Sequence, residues 1–199
     1  MTDKILSTQD IITMFSECYD IACAAEGQEA ASMMSVSTID KGGFPADRVV
    51  FFRGLIDNGF TFYTNYNSDK GRDIENSNKI CLLFHWRDLK QQVRIIGTVQ
   101  KTSRSASEAY WNKRSRVKQI SALVSDQSQK VASYEDLVKE HDARSAEVSG
   151  GTIVCPEYWG GYVVKPLSVE FWQARDDRLH KREVYKRNGE SWENYFLCP

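Results

Sequence analysis

Histidine is scarce in this chain of 199 residues: His85, His141 and His180 are the only three. None stands in an H-E-x-x-H pair or at a Cys/His spacing suited to zinc, so no metal is expected. The five cysteines, Cys18, Cys23, Cys81, Cys155 and Cys198, are scattered, odd in number and without a C-x-x-C pair. That argues against a disulfide framework and for a reduced, cytoplasmic protein. No apolar run approaches the length of a membrane span, and Met1-Thr2-Asp3-Lys4-Ile5-Leu6 lacks the apolar stretch of a secretory leader. Neither G-x-x-x-x-G-K-[ST] nor G-x-G-x-x-G occurs, which disfavours a glycine-loop phosphate site. Internal repeats and low-complexity tracts are missing as well. Charge of one sign is not in excess: 26 basic and 27 acidic residues leave a formal net charge of −1. Nothing in that balance asks for nucleic acid or a membrane as partner.

What is present suits one globular domain over 1–199, since 41% hydrophobic and 12% aromatic residues can build a core. Ser7 and Asp10 stand three apart in a capping pattern, followed by Ile11, Phe15, Cys18 and Ala22 at helical spacing. This predicts a helical N-terminal segment within 1–30. Strand character follows at 34–38, then a turn at Asp40-Lys41-Gly42-Gly43, then an apolar, β-branched run at 48–53. Asp57-Asn58-Gly59 is a hairpin signal, with a return strand at 60–65. A further strand pair is expected at 80–86 and 92–102. Helices are expected at 105–114, 119–124 and 134–145, the last with a solvated charged face. Gly150-Gly151 starts a loop, with a linker conceivable near 149–152. Strands return around Tyr162, at 169–172 and at 179–186, and Asn188-Gly189 turns the chain into a last strand at 192–197. Hairpins dominate and no βαβ rhythm appears. The expected fold is mainly β with peripheral helices, an antiparallel barrel ending in a hairpin over 170–199.

The most informative stretch is Glu170-Phe171-Trp172-Gln173 followed by Arg178-Leu179-His180-Lys181-Arg182. Alternation along a strand puts Arg178, His180 and Arg182 on one face, and Glu170 with Trp172 on one face of the strand before. A short connection through 174–177 would bring two cations, an imidazole and an indole onto one patch, a floor for a planar, anionic ligand. Without a glycine loop, anions must be held by side chains. The candidates are Arg48, Arg53, Lys70, Arg114, Arg116 and Lys118, arginine's planar fork being suited to phosphate oxygens. Any one of them alone reads as a surface charge. Arg48 and Arg53 stand out because they bracket an apolar strand core. His180 is a candidate acid or base. Gln127 and Ser128 can hydrogen-bond a ligand, whereas Ser128 lacks the context of a nucleophile.

Taken together these residues resemble the pyridoxine (pyridoxamine) 5′-phosphate oxidase family, from about Met33 to Pro199. Its landmarks are Arg48 to Arg53, Phe62-Tyr63-Thr64-Asn65, Lys70 before Ile74-Glu75-Asn76, Gln92-Val93, Ser125-Asp126-Gln127-Ser128, Tyr158-Trp159-Gly160-Gly161-Tyr162 and the E-F-W-Q…R-L-H-x-R string. The resemblance implies an FMN-binding split β-barrel acting as a homodimer, with FMN at the subunit interface. It also implies oxidation of a phosphorylated B6 vitamer to pyridoxal 5′-phosphate, with O2 consumed and H2O2 released. By matching positions, it assigns FMN to Arg48, Val49, Val50, Phe51, Phe52, Arg53, Tyr63, Thr64, Lys70, Gln92, Gln127, Ser128, Trp172 and Arg182. The substrate would meet Arg53, Tyr110, Arg114 and Lys118, with Arg178 and His180 over its ring as the catalytic pair. The chain departs from the family's usual pattern in five places. Asp69 stands where a cation is usual, Arg53 for a lysine, Lys118 for a serine, Lys181 for an acid and Phe196 for an arginine. Two other readings fit the same residues: an FMN oxidase of another planar substrate, such as a phenazine precursor, or a split barrel that binds flavin or pyridoxal phosphate without turnover.

Overall fold

The computed structural model describes residues 6–148 and 150–199, so of the expected 149–152 linker Ser149 lies outside the described residues. Helix α1 (Thr8–Glu26) starts where the capping pattern predicts: the Asp10 N–H donates to Ser7 Oγ at 3.2 Å and the Ser7 N–H to Asp10 Oδ2 at 2.9 Å. Its Ile11, Phe15 and Ala22 are buried. A short α2 (Gln28–Ser32) leads into β1 (Met33–Ile39) and β2 (Pro45–Phe51), paired antiparallel from Met33↔Phe51 to Ile39↔Pro45. Arg53 lies just beyond the end of β2. Asp57 and Asn58 adopt φ of 48° and 57°, the two left-handed positions that the tight turn between β3 (Leu55–Ile56) and β4 (Gly59–Asn65) requires. Then come α3 (Asp69–Asn76), β5 (Lys79–Trp86), β6 (Gln91–Lys101), α4 (Arg104–Lys113), α5 (Arg116–Val124) and α6 (Tyr134–Glu147). The chain closes with β7 (Trp159–Gln173), β8 (Lys181–Asn188) and β9 (Ser191–Leu197).

The nine strands form one antiparallel sheet in the order β2-β1-β5-β6-β7-β4-β3, with β8 and β9 branching from β7. The branch explains the fold. Strand β7 is one continuous strand of 15 residues, where the sequence suggests two. Along one side it pairs with β6 from Tyr162 to Gln173; along the other, its first half takes β4 (Trp159↔Asn65 to Val164↔Phe60) and its second half takes β8 (Ser168↔Lys186 to Gln173↔Lys181). The register to β6 slips between Ile96 and Gly97, opposite Pro166, whose ring cannot donate to a ladder. Gly97 is obligatory there, since a Cβ would lie 2.3 Å from the Lys165 carbonyl oxygen.

The main core lies between α1 and the concave side of the sheet, where Phe15 meets Phe60 at 4.7 Å and Phe84 at 5.0 Å between ring centroids. A second, smaller core under α4 and α5 gathers Trp111, Ile120, Ile153, Cys155 and Trp159. Helix α6 buries none of its side chains, in line with its charged sequence. Two of the helices, α2 and α3, carry too little apolar periodicity to be predicted. Helix α3 is written mostly in Asp, Lys, Arg and Glu, with Ile74 its one large apolar residue. It forms because Ser68 caps it and Gly71 lets it lie against the Tyr66 backbone, where a Cβ would be 1.9 Å from the Tyr66 oxygen.

Candidate active site

Two surfaces collect the residues singled out in the sequence. The first is a groove of about 560 Å³ between β2, β4 and the α4–α5 pair. Arg48, Val49, Val50, Phe51, Arg53, Tyr63, Thr64, Lys70, Tyr110, Arg114, Lys118 and Gln127 all line it. The middle of β2 supplies Arg48, the segment just after it Arg53, the C-cap of α4 Arg114, and the N-terminus of α3 Lys70. Phe52 departs from its expected place: its ring is buried in the main core, 5.5 Å from Phe15, and its N–H donates to the Ser32 carbonyl at 2.7 Å. Phe52 follows the last residue of β2, and its side chain packs toward α1 while Arg48, Val49, Val50, Phe51 and Arg53 line the groove. Ser128, held at φ 72°, flanks the groove rather than lining it, and its Oγ accepts the Asp69 N–H at 3.2 Å. Gln127 Oε1 accepts from Thr64 Oγ1 at 3.0 Å, tying the 125–128 loop to β4.

The groove's cations fall into two sets. Lys70 is 6% exposed, and its ammonium has only hydroxyl partners, Thr64 Oγ1 and Ser68 Oγ, both at 3.3 Å. Burial, and then the like charge of Arg48, pull its pKa down to about 8. The second set lies on α4–α5. Tyr63 stacks on Tyr110 at 3.9 Å with 7° between planes, Tyr63 stacks in turn on Trp159 at 5.7 Å, and the Arg114 guanidinium sits 4.6 Å over the Trp159 ring. Arg114 Nη2 donates to the Lys118 carbonyl at 2.6 Å, while its buried Nε has no partner among the described residues. Burial chiefly, and the nearby charge of Arg53, lower its pKa. A buried ammonium without a carboxylate and a buried guanidinium N–H without an acceptor are the state of sites built for oxyanions. The donor set therefore fits a phosphorylated cofactor and a phosphorylated ligand side by side.

Two candidates turn out differently. Arg116 is engaged elsewhere: it donates to the Val148 carbonyl at 3.0 Å and to those of Gly150 at 3.0 Å and Gly151 at 2.9 Å, fastening the loop after α6. Asp69, expected to oppose an anion, turns its carboxylate to Arg72 one turn along α3 and does not line the groove.

The second surface crosses three strands. Gln92, Trp172 and Arg182 stand in one register row on β6, β7 and β8, with Arg94 and Glu170 in the next same-facing row. Leu83, His180 and Pro199 complete this surface. Glu170 and Trp172 share a face as alternation requires. Glu170, 5% exposed, accepts from Arg182 Nε at 2.7 Å and from Arg94 Nη2. Burial alone would raise its carboxyl, but the two guanidinium bonds hold it below the usual range. The patch is thus less cationic than its sequence suggests, because a buried carboxylate neutralises one of two arginines.

Arg178 is not on a strand. The segment 174–180 is a loop, β8 begins only at Lys181, and Arg178 has φ 63°. Period-two alternation therefore does not reach it, and it lines neither surface. His180 closes this loop: its Nδ1 accepts the Arg175 N–H at 3.1 Å, and its ring lies 4.9 Å from Trp172. A neutral imidazole so held carries its hydrogen on Nε2, as a donor. Two departures from the expected pattern meet each other here: the Lys181 ammonium sits 5.6 Å over the Phe196 ring and pairs with Glu183 at 2.7 Å. No residue lines both surfaces. Arg94 and Ser68 carry no signal in the sequence; each is recognisable only once the register across β6 and the α3 cap are known.

A nine-stranded antiparallel sheet that splits along β7, with a cation-rich groove at its flank, defines a flavin-binding split barrel of the oxidase type. Residues 24–141 match the family profile described as pyridoxamine 5′-phosphate oxidase, and 159–199 match the pyridoxine 5′-phosphate oxidase C-terminal dimerisation region. The pyridoxine/pyridoxamine 5′-phosphate oxidase of Leptospira biflexa is 43% identical over 190 residues, covering 96% of this chain and 89% of that protein. That of Colwellia psychrerythraea is 43% identical over 167 residues, covering 83% and 76%. Among solved structures, PhzG from Burkholderia lata, in complex with tetrahydrophenazine-1-carboxylic acid, superposes with a TM-score of 0.87 at 27% identity, covering 99% of this chain and 95% of that one. A pyridoxamine 5′-phosphate oxidase-related, FMN-binding protein from Nostoc punctiforme shares the fold, with a TM-score of 0.77 at 19% identity and coverage of 93% and 97%. The chain belongs to the pyridoxamine 5′-phosphate oxidase family. Among the described residues no helix is long and apolar enough to cross a membrane, and no cluster of His, Cys, Asp and Glu could hold a metal ion.

Proposed function

We propose that this chain is an FMN-dependent oxidase that converts pyridoxamine or pyridoxine 5′-phosphate to pyridoxal 5′-phosphate, consuming O2 and releasing H2O2. The observation that carries the reading is the groove's two sets of cations, Lys70 beside Arg48 and Arg114 beside Arg53, in which the Lys70 ammonium has no carboxylate and the Arg114 Nε no acceptor among the described residues. A phosphorylated cofactor and a phosphorylated substrate need one set each.

FMN, when bound, supplies the two-electron acceptor that the protein's own side chains lack. Arg48, Lys70, Thr64 and Ser128 hold its phosphate end, with Gln127 bracing the 125–128 loop against β4. Val49, Val50 and Phe51 line the strand beneath it, and Phe52 contributes main chain only. Tyr110 and Arg114, with Arg53 and Lys118, bind the substrate phosphate, and Tyr63 braces Tyr110 by stacking. Binding of this kind fixes the reacting groups in one geometry, which by itself supplies a large part of a rate enhancement.

Gln92, Trp172 and Arg182 complete the flavin site and Arg178 and His180 the substrate site, but on one chain none of them lines the groove. We therefore assign them to the other protomer of a homodimer, so that each active centre is formed where one groove faces the partner's hairpin row. Arg182 is held by Glu170, so its charge is fixed in place before it is needed, as electrostatic preorganisation requires. His180, with Nδ1 engaged, donates from Nε2 to the substrate ring and does not begin as a base. The scattered free cysteines fit a cytoplasmic setting for this chemistry.

A second reading is favoured by one observation. The likeness to PhzG, together with cations at Arg53, Arg114 and Lys118 that would equally suit a carboxylate, fits an oxidase of a carboxylated phenazine precursor. Anaerobic mixing of the FMN-loaded protein with pyridoxamine 5′-phosphate decides between them. The proposal expects the visible flavin absorbance to bleach and to return on admitting air. Bleaching only by a phosphate-free carboxylated ring would establish the second reading, and flavin that never bleaches would reduce the protein to a binder.

A further inference from the structure

We propose that Asp73, a carboxylate buried behind the groove, is a positioning residue that aims Arg48 and thereby sets the groove's preference for a phosphate-bearing flavin. The inference rests on the assignment of Arg48 to the FMN phosphate and adds the residue that directs it.

Asp73 lies on α3 and is 6% exposed, without itself lining the groove. Its Oδ2 accepts from Thr38 Oγ1 at 2.6 Å, a contact joining α3 to β1, and pairs with Arg48 Nη2 at 3.5 Å. Thr38, 1% exposed, passes the constraint on: its Oγ1 gives its hydrogen to Asp73 and accepts from Arg48 Nη1 at 2.6 Å. Arg48 Nη1 also donates to the Ala46 carbonyl at 2.9 Å and the Val36 carbonyl at 3.3 Å. A guanidinium has five N–H groups. Both hydrogens of Nη1 and one of Nη2 are engaged by these contacts. The Nε hydrogen and the second Nη2 hydrogen have no protein acceptor among the described residues, and they form the two-pronged edge that grips a phosphate or carboxylate. Arg48 lines the groove, and the proposal assigns this free edge to a ligand bound there.

Electrostatics alone would argue for removing Asp73. A carboxylate next to Arg48 subtracts from the positive potential that attracts a phosphate, and Asp69, one turn earlier on α3, is already turned to Arg72. Its retention in a buried position makes sense if direction outweighs charge. Without Asp73, Thr38 loses the acceptor that orients its hydroxyl, and the flexible arginine samples other rotamers before binding, a cost that preorganisation avoids. The two roles predict opposite signs, so they can be separated.

The test is binding of FMN and of riboflavin to the flavin-free protein, followed by quenching of flavin fluorescence, for wild type, Asp73→Ala and Asp73→Asn. Asp73→Ala should weaken FMN about tenfold while leaving riboflavin within about twofold, because only FMN carries the phosphate. Asp73→Asn keeps an acceptor for Thr38 and Arg48 and should stay within about threefold of wild type for FMN. FMN binding to Asp73→Ala that is equal to or tighter than wild type would overturn the proposal, and so would an equal loss of both flavins, which marks a merely structural role. Should Asp73→Ala fail to fold, Thr38→Val removes the relay hydroxyl at constant shape and should lower the FMN-to-riboflavin preference about fivefold; an unchanged preference would overturn the proposal. Wild-type protein that does not prefer FMN over riboflavin would instead refute the assignment of Arg48 and Lys70 to the phosphate.

Discussion

The groove and the hairpin row both display arginines, yet their charges are satisfied to different degrees. In the groove one buried acid, Asp73, pairs with Arg48, while among the described residues Lys70 has hydroxyl partners only and Arg114 Nε has none. In the row, Glu170 sits between Arg94 and Arg182 and holds both. The groove therefore keeps binding capacity for anions, whereas the row is largely neutralised and rigid. The count of basic residues in a motif thus says little about its affinity for anions. What matters is whether a buried acid has already claimed them.

The contrast is tested hardest at Arg114. Arg114→Met should lower kcat/KM for pyridoxamine 5′-phosphate roughly 100- to 1,000-fold, mostly through KM, while FMN binding stays unchanged. Loss of FMN instead would show that the groove's two cation sets do not act separately. Next is Lys70. Lys70→Met should weaken FMN about 50-fold, by removal of a buried charge from the phosphate. It should also remove a pair of opposite pH trends. The fold lowers the Lys70 pKa to about 8, below the unfolded value of about 10.4. Between those two pH values the unfolded chain holds more protons, so the flavin-free protein gains stability from this group as pH rises. FMN needs the charged ammonium, so its affinity falls as pH rises through about 8. The difference between wild type and Lys70→Met in urea midpoints and in FMN titrations isolates both slopes.

A smaller effect is expected in the row. Glu170→Gln should lower unfolding free energy by about 2 kcal/mol, since two guanidiniums lose their carboxylate, with partial compensation by solvent. If the row is neutral for the reason given, the variant should also bind simple anions more strongly than wild type, seen as greater competition by sulfate against substrate. The smallest change is at Arg116, whose bonds are all to the carbonyls after α6. Arg116→Ala should lower stability by about 1 kcal/mol and leave FMN and substrate affinities alone; a loss of substrate affinity would return Arg116 to the groove.

Much of this is legible from residues alone. The Ser7 cap, the Asp57-Asn58-Gly59 turn and most strands follow from local chemistry, and the groove's members sit where strand ends and the α3 start deliver them. The failures share one cause, namely interactions distant in sequence or set by packing. Alternation reads through Arg178 in the sequence because nothing local reveals that Arg175, Asp177 and His180 tie 174–180 into a loop. Phe52 reads with its neighbours because the side of β2 that faces α1 is set by packing. The neutralising part of Glu170 depends on its register opposite Arg94, and the contact of Asp73 with Thr38 depends on the approach of α3 to β1. Strand β7 reads as two because Pro166 looks like a break, while the sheet absorbs it in a bulge at Gly97.

If under-satisfied cations make the groove a phosphate site, the flavin-free protein must tell FMN from riboflavin at neutral pH, and a titration of each flavin decides it. Lys70 and Arg48 should bind FMN at least about 100-fold more tightly than riboflavin, and the ratio should shrink as pH rises above about 8. Equal affinities for the two flavins, or a ratio indifferent to pH across that range, would contradict it.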